Sequence, residues 1–189
     1  MSLDLPLSKD LSILCLMSKI IVIAHDLRSA HNIGSLIRTA DGLGVHKIYF
    51  TGYTPYPKAK NDIRLPHIAN KIHKQIVKTS LGAENFVDWE YVEDLDTIIN
   101  KLKSEHYLIA ALEQSKDSVS ITDYIDNQDI ALILGREVQG IDAKILKLCD
   151  LTLEIPMLGK KESLNVTQAA AIALYQLRWK IHNPDKHKN

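Results

Sequence analysis

Short hydrophobic runs alternate along the chain with longer segments whose hydrophobic residues recur at helical spacing. The runs predict β-strands, because continuous β-branched stretches of about four to eight residues are typical of strands buried in a parallel sheet. They occur at residues 20–24, 47–50, 86–92, 107–112, 130–134 and 151–155. This alternation is typical of βαβ units, so we expect an α/β fold with a mainly parallel sheet flanked by helices.

The amphipathic segments between these runs predict the helices. The first helix follows the run at 20–24, and one of its faces carries Ile33, Leu36, Ile37 and Ala40. Further helices are expected at 94–103, at 142–148 with Asp142 as the cap, and at 165–180. Residues 58–85 are basic and less regular, so no helix or strand is predicted there.

Polar, glycine-containing segments follow three of the predicted strands. Ligands of open α/β sheets bind beyond the carboxyl ends of the strands, which makes these segments candidate functional loops. The first contains Asn32, Gly34 and Arg38. Bare backbone at Gly34 beside a guanidinium would suit a phosphate or a ribose. A tight helix start with a solvated arginine accounts for the same residues equally well.

The second and third segments also have two interpretations each. Gly135 and Gly140 flank Glu137, which would let the backbone approach a ligand closely, although a simple strand-to-helix turn has the same composition. The third segment runs from 155 to 167, and its serine, asparagine and threonine would also serve as helix caps. The pattern G-x-G-x-x-G is absent from the chain, which argues against a dinucleotide-binding loop.

Composition and charge narrow the class of protein further. The 189 residues fit one domain, which we expect at 19–181 between tails at 1–18 and 182–189. Met17 directly precedes the first strand, so a downstream start or an added leader would also explain the first tail. The formal net charge is +0, so any nucleic acid must be bound by a local basic patch.

Cysteine content and hydropathy exclude several alternatives. Cys15 and Cys149 are too few and too far apart for a metal motif or a disulfide framework, and they indicate reduced thiols in a cytoplasmic protein. No segment reaches the roughly 18 apolar residues that a membrane span requires. We therefore expect no metal and no membrane partner.

Taken together and in this order, the three segments resemble the SpoU/TrmH class of the SPOUT methyltransferases. Asn32-x-Gly34-x-x-x-Arg38 is similar to the first motif of that family, and Gly135-x-Glu137-x-x-Gly140 is similar to the second. Ile155-Pro156-Met157 with Ser163-Leu164-Asn165-Val166 is similar to the third and most specific motif. The resemblance covers about Lys19 to Trp179, which is nearly the whole chain.

The resemblance implies a fold, a cofactor and an assembly. The fold would be a Rossmann-like sheet whose carboxyl-terminal part forms a deep trefoil knot, an exception to ordinary topology. S-adenosylmethionine would be the cofactor, held in the knot by Leu112, Gly135, Gly140, Ile155, Met157 and Leu164. A homodimer would complete each active site across its interface, with the alanines at 169, 170, 171 and 173 as part of the contact.

The resemblance also implies methylation of a ribose 2′-hydroxyl in RNA, with tRNA favoured over rRNA. The catalytic positions would be Arg38, Asn32, Glu137, Ser163 and Asn165. Arg38 matches the proposed activator of the hydroxyl. Because a guanidinium stays protonated, binding of the adjacent phosphate is the alternative role for it. Asn32 and Glu137 would orient Arg38 and the ribose, and Asn165 would brace its loop.

A basic segment is the candidate RNA surface. Its residues, with two arginines from neighbouring loops, are Lys58, Lys60, Arg64, Lys71, Lys74, Lys78, Arg28 and Arg136. A solvated helix face would have the same composition. The alternative to the whole assignment is a non-catalytic RNA-binding module on the same fold, and a dinucleotide-dependent oxidoreductase is a more distant one.

Overall fold

The computed structural model describes residues 18–125, 128–137 and 139–180. Within these residues seven parallel strands form one sheet in the order β3-β2-β1-β6-β4-β7-β5. The strands are β1 (Ile20–His25), β2 (Lys47–Thr51), β3 (Trp89–Val92), β4 (Leu108–Leu112), β5 (Val119–Ser120), β6 (Ile130–Leu134) and β7 (Leu151–Glu154). Since all strands are parallel, their carboxyl ends meet at one edge of the sheet.

Five α-helices accompany the strands in the described part of the chain. They are α1 (Ala30–Gly42), α2 (Pro66–Ser80), α3 (Leu95–Ser104), α4 (Ala143–Leu146) and α5 (Val166–Lys180), with a 3₁₀ turn at Ala83–Asn85. Ser29 caps α1 by accepting from the Asn32 amide, and Asp94 caps α3 by accepting from the Thr97 amide. Leu81 ends α2 in a left-handed conformation.

The helices cover both faces of the sheet, so the fold is a three-layer α/β structure. Ile20, Val22 and Ala24 of β1 belong to a core that includes residues of α1 and α5. Ile21 and Ile23, the alternate residues of the same strand, belong to a second core that includes α3. This division follows from the twofold alternation of side chains along a strand.

Helix α5 places its alanines inward and larger side chains outward. Ala170 and Ala173 are fully buried in the core shared with β1. The prediction that the alanines at 169, 170, 171 and 173 take part in a dimer contact is therefore wrong for Ala170 and Ala173, because these two side chains already pack in the chain's own core. The exposed side instead carries Ile172, Tyr175 and Trp179.

Most predicted strands and helices are confirmed, with three differences. The two-residue strand β5 was not predicted. The strand expected at 86–92 begins only at Trp89, and Phe86 is 79% exposed. Residues 58–85, for which no element was predicted, contain the helix α2. The buried residues of α2 are Ala69, Ile76 and Ser80. Ile68, Ile72 and Ile76 recur at helical spacing, so the sequence does carry the pattern of an amphipathic helix and the absence of a predicted element there was wrong.

The predicted tails lie outside the described residues except for Ser18. The carbonyl of Ser18 accepts a hydrogen bond of 3.1 Å from the guanidinium of Arg178, which is 9% exposed. The same guanidinium donates to the carbonyls of Leu43 and Gly44. Arg178 thus joins the end of α5 to the start of β1 and to the end of α1. Among the described residues, no helix is long and apolar enough to cross a membrane.

Candidate active site

A cavity of about 400 Å³ opens at the carboxyl ends of β4, β6 and β7. The segments that follow these three strands form its walls, and the start of α5 closes one side. All six residues predicted to hold a cofactor line this cavity, namely Leu112, Gly135, Gly140, Ile155, Met157 and Leu164. Glu137 and Ser163, two of the predicted catalytic residues, also line it. The second and third motifs therefore meet at one site.

The loop after β6 forms a tight turn that depends on its glycines. Arg136 and Gly140 exchange backbone hydrogen bonds of 3.3 and 3.0 Å, and Gly140 has a φ of +66°. A Cβ at Gly135 would lie 2.4 Å from Cγ1 of Ile141. Both glycines are thus required by the turn itself, and this turn brings the backbone to the cavity.

Glu113 fixes this turn to β4, a role that the sequence did not indicate. Its Oε2 accepts a 2.9 Å hydrogen bond from the amide of Ile141, and its Oε1 accepts one of 2.9 Å from the amide of Gln114. A Cβ at Gly140 would meet Oε2 of Glu113 at 2.2 Å. The only sequence signal was a carboxylate placed directly after a strand at the functional edge of the sheet.

The cavity is lined by more acidic than basic side chains. Its carboxylates are those of Glu113, Glu137, Glu154 and Glu162, against the single guanidinium of Arg136. Arg136 also forms an ion pair with Asp142. Glu154 accepts a 2.7 Å hydrogen bond from the Ser118 hydroxyl. This lining favours a ligand that carries positive charge.

Asn32 connects the first motif to the cavity. Its amide Nδ2 donates a 3.3 Å hydrogen bond to Oε1 of Glu137, across 105 residues of sequence. The structure thus brings these two predicted catalytic residues together. Arg38, by contrast, is exposed on α1 and does not line the cavity of its own chain.

Gly34 has a packing role instead of the expected ligand contact. A Cβ at this position would lie 2.1 Å from Oγ1 of Thr79 and 2.2 Å from the carbonyl oxygen of Ile76. Gly34 is buried, whereas Arg38 one turn later is exposed. The interpretation of Gly34 as bare backbone beneath a phosphate is therefore wrong, because α2 occupies that space.

Asn165 caps α5 and lies outside the cavity. Its Oδ1 accepts from the amide of Thr167 at 2.9 Å and from the hydroxyl of the same residue at 2.7 Å. The side chain is therefore engaged in starting the helix that closes the cavity. This contact agrees in kind with the expected bracing of the loop.

His25 ends β1 beside this edge and was not among the predicted residues. Its Nδ1 lies 2.9 Å from Oγ1 of Thr51, and its Nε2 lies 3.3 Å from Oδ2 of Asp26. Burial lowers the pKa of His25, partly opposed by the Asp26 carboxylate. The imidazole is therefore neutral near pH 7 and joins β1 to β2 through a polar contact.

The predicted RNA-binding residues divide into free and engaged side chains. Lys71, Lys74 and Lys78 are exposed on α2, and Arg28 and Lys60 are exposed on loops. Lys58 is also exposed, although its ammonium donates to Oδ1 of Asn70 at 3.0 Å.

Arg64 departs from this prediction. Its guanidinium pairs with Asp62 and donates to the carbonyls of Tyr56 and Pro57, and its side chain is only 15% exposed. The Arg64 guanidinium holds the pKa of the Asp62 carboxyl well below its ordinary range. Arg64 is therefore a structural residue of its loop, and its guanidinium is not free to bind a phosphate in the predicted way.

The described residues contain no group of three or more histidine, cysteine, aspartate or glutamate side chains arranged to hold a metal ion.

Comparison with known proteins identifies similar chains over most of this sequence. Residues 19–175 match the model of the SpoU rRNA Methylase family. A tRNA (guanosine(18)-2'-O)-methyltransferase from Aquifex aeolicus is 30% identical over 160 residues, which cover 83% of this chain and 67% of that protein. A Staphylococcus haemolyticus protein, whose name refers to TrmH family tRNA/rRNA methyltransferases, is 32% identical over 165 residues.

The chain spans 59% of the length of the Staphylococcus protein. Among solved structures, an AdoMet-bound rRNA methyltransferase from Sinorhizobium meliloti superposes with a TM-score of 0.74 at 21% identity. That match covers 86% of this chain and 57% of the other. At this level of identity the match supports the parallel α/β fold.

Proposed function

Because the chain belongs to the SpoU rRNA Methylase family, we propose that it transfers a methyl group from S-adenosylmethionine to a ribose 2′-hydroxyl of RNA. The observation that carries the proposal is the cavity at which the loops after β4, β6 and β7 meet, joined to the first motif by the contact between Asn32 and Glu137. We favour tRNA over rRNA, with support from the Aquifex relative, which is named for methylation of tRNA.

The residues of the cavity fit S-adenosylmethionine. A volume of about 400 Å³ suits a ligand of this size. Leu112, Ile155 and Leu164 supply apolar surface for an adenine ring and a methionyl chain, and the turn at Gly135 supplies backbone polar groups. The four carboxylates of the lining would favour the positive charges of the sulfonium and the amino group.

Bound S-adenosylmethionine would supply a methyl group activated by its sulfonium charge. The chain's own residues then have to place the ribose and stabilise the attacking oxygen. Glu137 would accept a hydrogen bond from the ribose 2′-hydroxyl and take up its proton as the oxygen is methylated, while Asn32 holds its carboxylate in place. Arg38 would bind the adjacent phosphate and so stabilise negative charge that develops on the 2′-oxygen. A base role is weaker, because a guanidinium remains protonated.

A homodimer would explain why Arg38 lies outside the cavity of its own chain. The surface of α5 offers a contact, since Ile172, Tyr175 and Trp179 are 44%, 55% and 51% exposed and recur on one side of the helix. The rings of Tyr175 and Trp179 lie 5.9 Å apart between centroids. We propose that a second copy covers this stripe and brings α1 of one chain to the cavity of the other. Tyr175→Glu should then yield monomers in sedimentation experiments.

The carboxyl-terminal trefoil knot is part of the same proposal. The strand order supports it, because β6 lies between β1 and β4, and β7 lies between β4 and β5, which are consecutive in the chain. Such an order is compatible with a carboxyl-terminal chain that passes segments already in place, which ordinary connections avoid. An experimental trace of residues 130–180 that straightens when its ends are pulled would contradict the knot.

Methyl transfer by an Arg38 variant tests the proposed chemistry. With labelled S-adenosylmethionine and either bulk tRNA or bulk rRNA, we expect Arg38→Ala to lower kcat by at least about a hundredfold. Its affinity for the cofactor should be unchanged in calorimetry, because the proposed contact of Arg38 is with the phosphate of the RNA and not with the cofactor. Arg38→Lys keeps the charge and should retain part of the activity.

Equal activity of Arg38→Ala and the wild type would refute the role of Arg38. Absence of both transfer and cofactor binding in the wild type would refute the enzyme function and favour a non-catalytic RNA-binding module.

A further inference from the structure

A second cleft, of about 500 Å³, opens at the carboxyl ends of β2 and β3, away from the residues of the cofactor cavity. One wall consists of Arg28 and the segment that follows β2, including Tyr53. The opposite wall includes Ile63 and one flank of α2, represented by Ile72 and Gln75. Neither the proposed chemistry nor the proposed cofactor uses these residues.

The inner part of the cleft is rigid and its polar groups are paired. The rings of Tyr56 and Tyr91 stack with centroids 4.3 Å apart, and the guanidinium carbon of Arg64 lies 3.6 Å from the centroid of Tyr56. The hydroxyl of Tyr91 donates a 2.8 Å hydrogen bond to the carbonyl of Gly52. These contacts hold the floor of the cleft in place.

The rim of the cleft, in contrast, exposes apolar and cationic groups to solvent. Tyr53 is 51% exposed, and the guanidinium carbon of Arg28 lies 5.8 Å from the centroid of its ring. Ile63 is 91% exposed. An exposed aromatic ring, a guanidinium and an aliphatic side chain are the groups on which unpaired bases stack. Gln75 and Glu93 add hydrogen-bonding groups that suit the edge of a base.

Helix α2 places a row of positive charge beside the cleft. Lys71, Lys74 and Lys78 are all exposed, and their spacing puts them on one side of the helix, opposite the buried Ala69 and Ile76. The helix contains no acidic residue.

The cleft and this row of lysines are neighbours on the same helix. Gln75, which lines the cleft, lies one turn from both Lys71 and Lys78. A single strand whose base enters the cleft would therefore carry its phosphates past the lysines.

We propose that this cleft binds an unpaired base of the RNA substrate, and that Lys71, Lys74 and Lys78 bind the phosphates of the adjoining nucleotides. The proposal rests on the proposed function for its ligand, RNA. The cleft also lies on the functional edge of the sheet, because Arg28 immediately precedes Ser29, the cap of α1, and the same helix carries Asn32 to Glu137. A base held there would fix the position of the strand relative to the cofactor cavity.

Substitution of Tyr53 tests the stacking contact. We expect Tyr53→Ala to raise the Kd for fluorescently labelled bulk tRNA or bulk rRNA, whichever the wild type binds more tightly, by about tenfold, since one stacked base contributes roughly 1–3 kcal/mol. Tyr53→Phe keeps the ring and should bind as the wild type does. Phe86→Ala is the matched control, because Phe86 is 79% exposed and does not line the cleft.

Substitution of the lysines tests the phosphate contacts. Changing Lys71, Lys74 and Lys78 together to glutamine should reduce the slope of log K against log salt by about 2, at roughly 0.7 for each phosphate contact on a single strand. Lys147→Gln should leave the slope unchanged, because Lys147 is exposed at the end of α4, which packs on the opposite face of the sheet from α2.

The outcomes separate this proposal from the proposed function. Three results would overturn the proposal that the cleft binds a base. They are a Kd of Tyr53→Ala within twofold of the wild type, an equal loss of affinity in Phe86→Ala, and no RNA binding by the wild type. RNA binding that depends on Tyr53 without any methyl transfer would support the cleft and refute the proposed function. Methyl transfer with an unchanged KM for RNA in Tyr53→Ala would leave the proposed function standing and refute the cleft.

Discussion

Removal of the Glu113 carboxylate should weaken cofactor binding by loosening the turn after β6. Glu113 accepts from the amide of Ile141 on that turn and from the amide of Gln114 beside it. The hydrogen bond to Ile141 is partly buried beside the cavity, so water replaces the lost acceptor only in part. In Glu113→Ala the turn that lines the cavity therefore loses its link to β4.

The magnitude follows from the hydrogen bond to Ile141. A hydrogen bond to a charged group contributes roughly 1.5–3 kcal/mol net. If this energy holds the turn in its binding conformation, its loss weakens binding of S-adenosylmethionine by roughly 10- to 100-fold. Glu113→Gln retains an acceptor oxygen but not the charge, so we expect a smaller loss, of about three- to tenfold.

Isothermal titration with S-adenosylmethionine and with its demethylated product separates the two contributions. The product has no sulfonium charge, so loss of the turn weakens both ligands, whereas loss of negative charge weakens S-adenosylmethionine more than the product. Glu113→Gln should therefore lower the preference for S-adenosylmethionine.

Glu162→Ala is the matched control. Glu162 also lines the cavity, but it contacts Gln114 through its backbone carbonyl and not through its carboxylate. Unchanged affinity of Glu113→Ala for both ligands, with the protein folded, would refute the assigned role of Glu113. An equal loss in Glu162→Ala would show that negative charge alone, and not the link to Ile141, determines binding.

Three further predictions concern the fold. Gly34→Ala should lower the free energy of unfolding in urea by about 1–3 kcal/mol, because its Cβ would overlap α2. Gly42→Ala should leave this free energy unchanged, because a Cβ there meets nothing within 4 Å. Equal free energies of unfolding for the two variants would refute the packing role of Gly34. Asp62→Asn should destabilise the protein at pH 7 by about 1–3 kcal/mol. The wild type should have the larger free energy of unfolding above the ordinary aspartate pKa of 3.8, and this difference should decrease as the pH falls below it, because the pKa of Asp62 is lowered in the folded state. A difference that does not change with pH would contradict this. Burial raises the pKa of the Cys149 thiol from 9.0 to about 11. In a Cys15→Ser variant at pH 8, Cys149 should therefore react with a disulfide reagent about a hundredfold more slowly in the folded protein than after unfolding. Equal rates in the two states would contradict the raised pKa.

The centre of the sheet could be predicted because its strands are buried on both faces. Every residue of β6 is buried, and β1 is buried apart from its last residue, so both strands appear in the sequence as continuous hydrophobic runs. Helix α2 was missed, although Ile68, Ile72 and Ile76 recur at helical spacing. Its few fully buried positions include Ala69 and Ser80, and most of its surface is lysine, histidine or asparagine in contact with solvent.

The lining of the candidate site was predicted from the resemblance to family motifs and missed where tertiary packing decides the contact. Leu164 and Met157 were predicted because the third segment resembles a family motif, and both line the cavity. The role of Glu113 depends on its distance from Ile141, which lies 28 residues away in the chain. The packing of Gly34 depends on a helix that was not predicted, and the internal pairing of Arg64 depends on the path of its loop. Long-range contacts of these kinds leave no periodic signal.

Nucleoside analysis of the methylated product tests the central claim most directly. Bulk tRNA and bulk rRNA would each be incubated with the protein and labelled S-adenosylmethionine, digested to nucleosides and separated. We expect the label in a 2′-O-methylated nucleoside, from the tRNA pool in preference to the rRNA pool. Label in a base-methylated nucleoside, or no label in either pool from protein that binds the cofactor, would contradict ribose methylation of these RNAs.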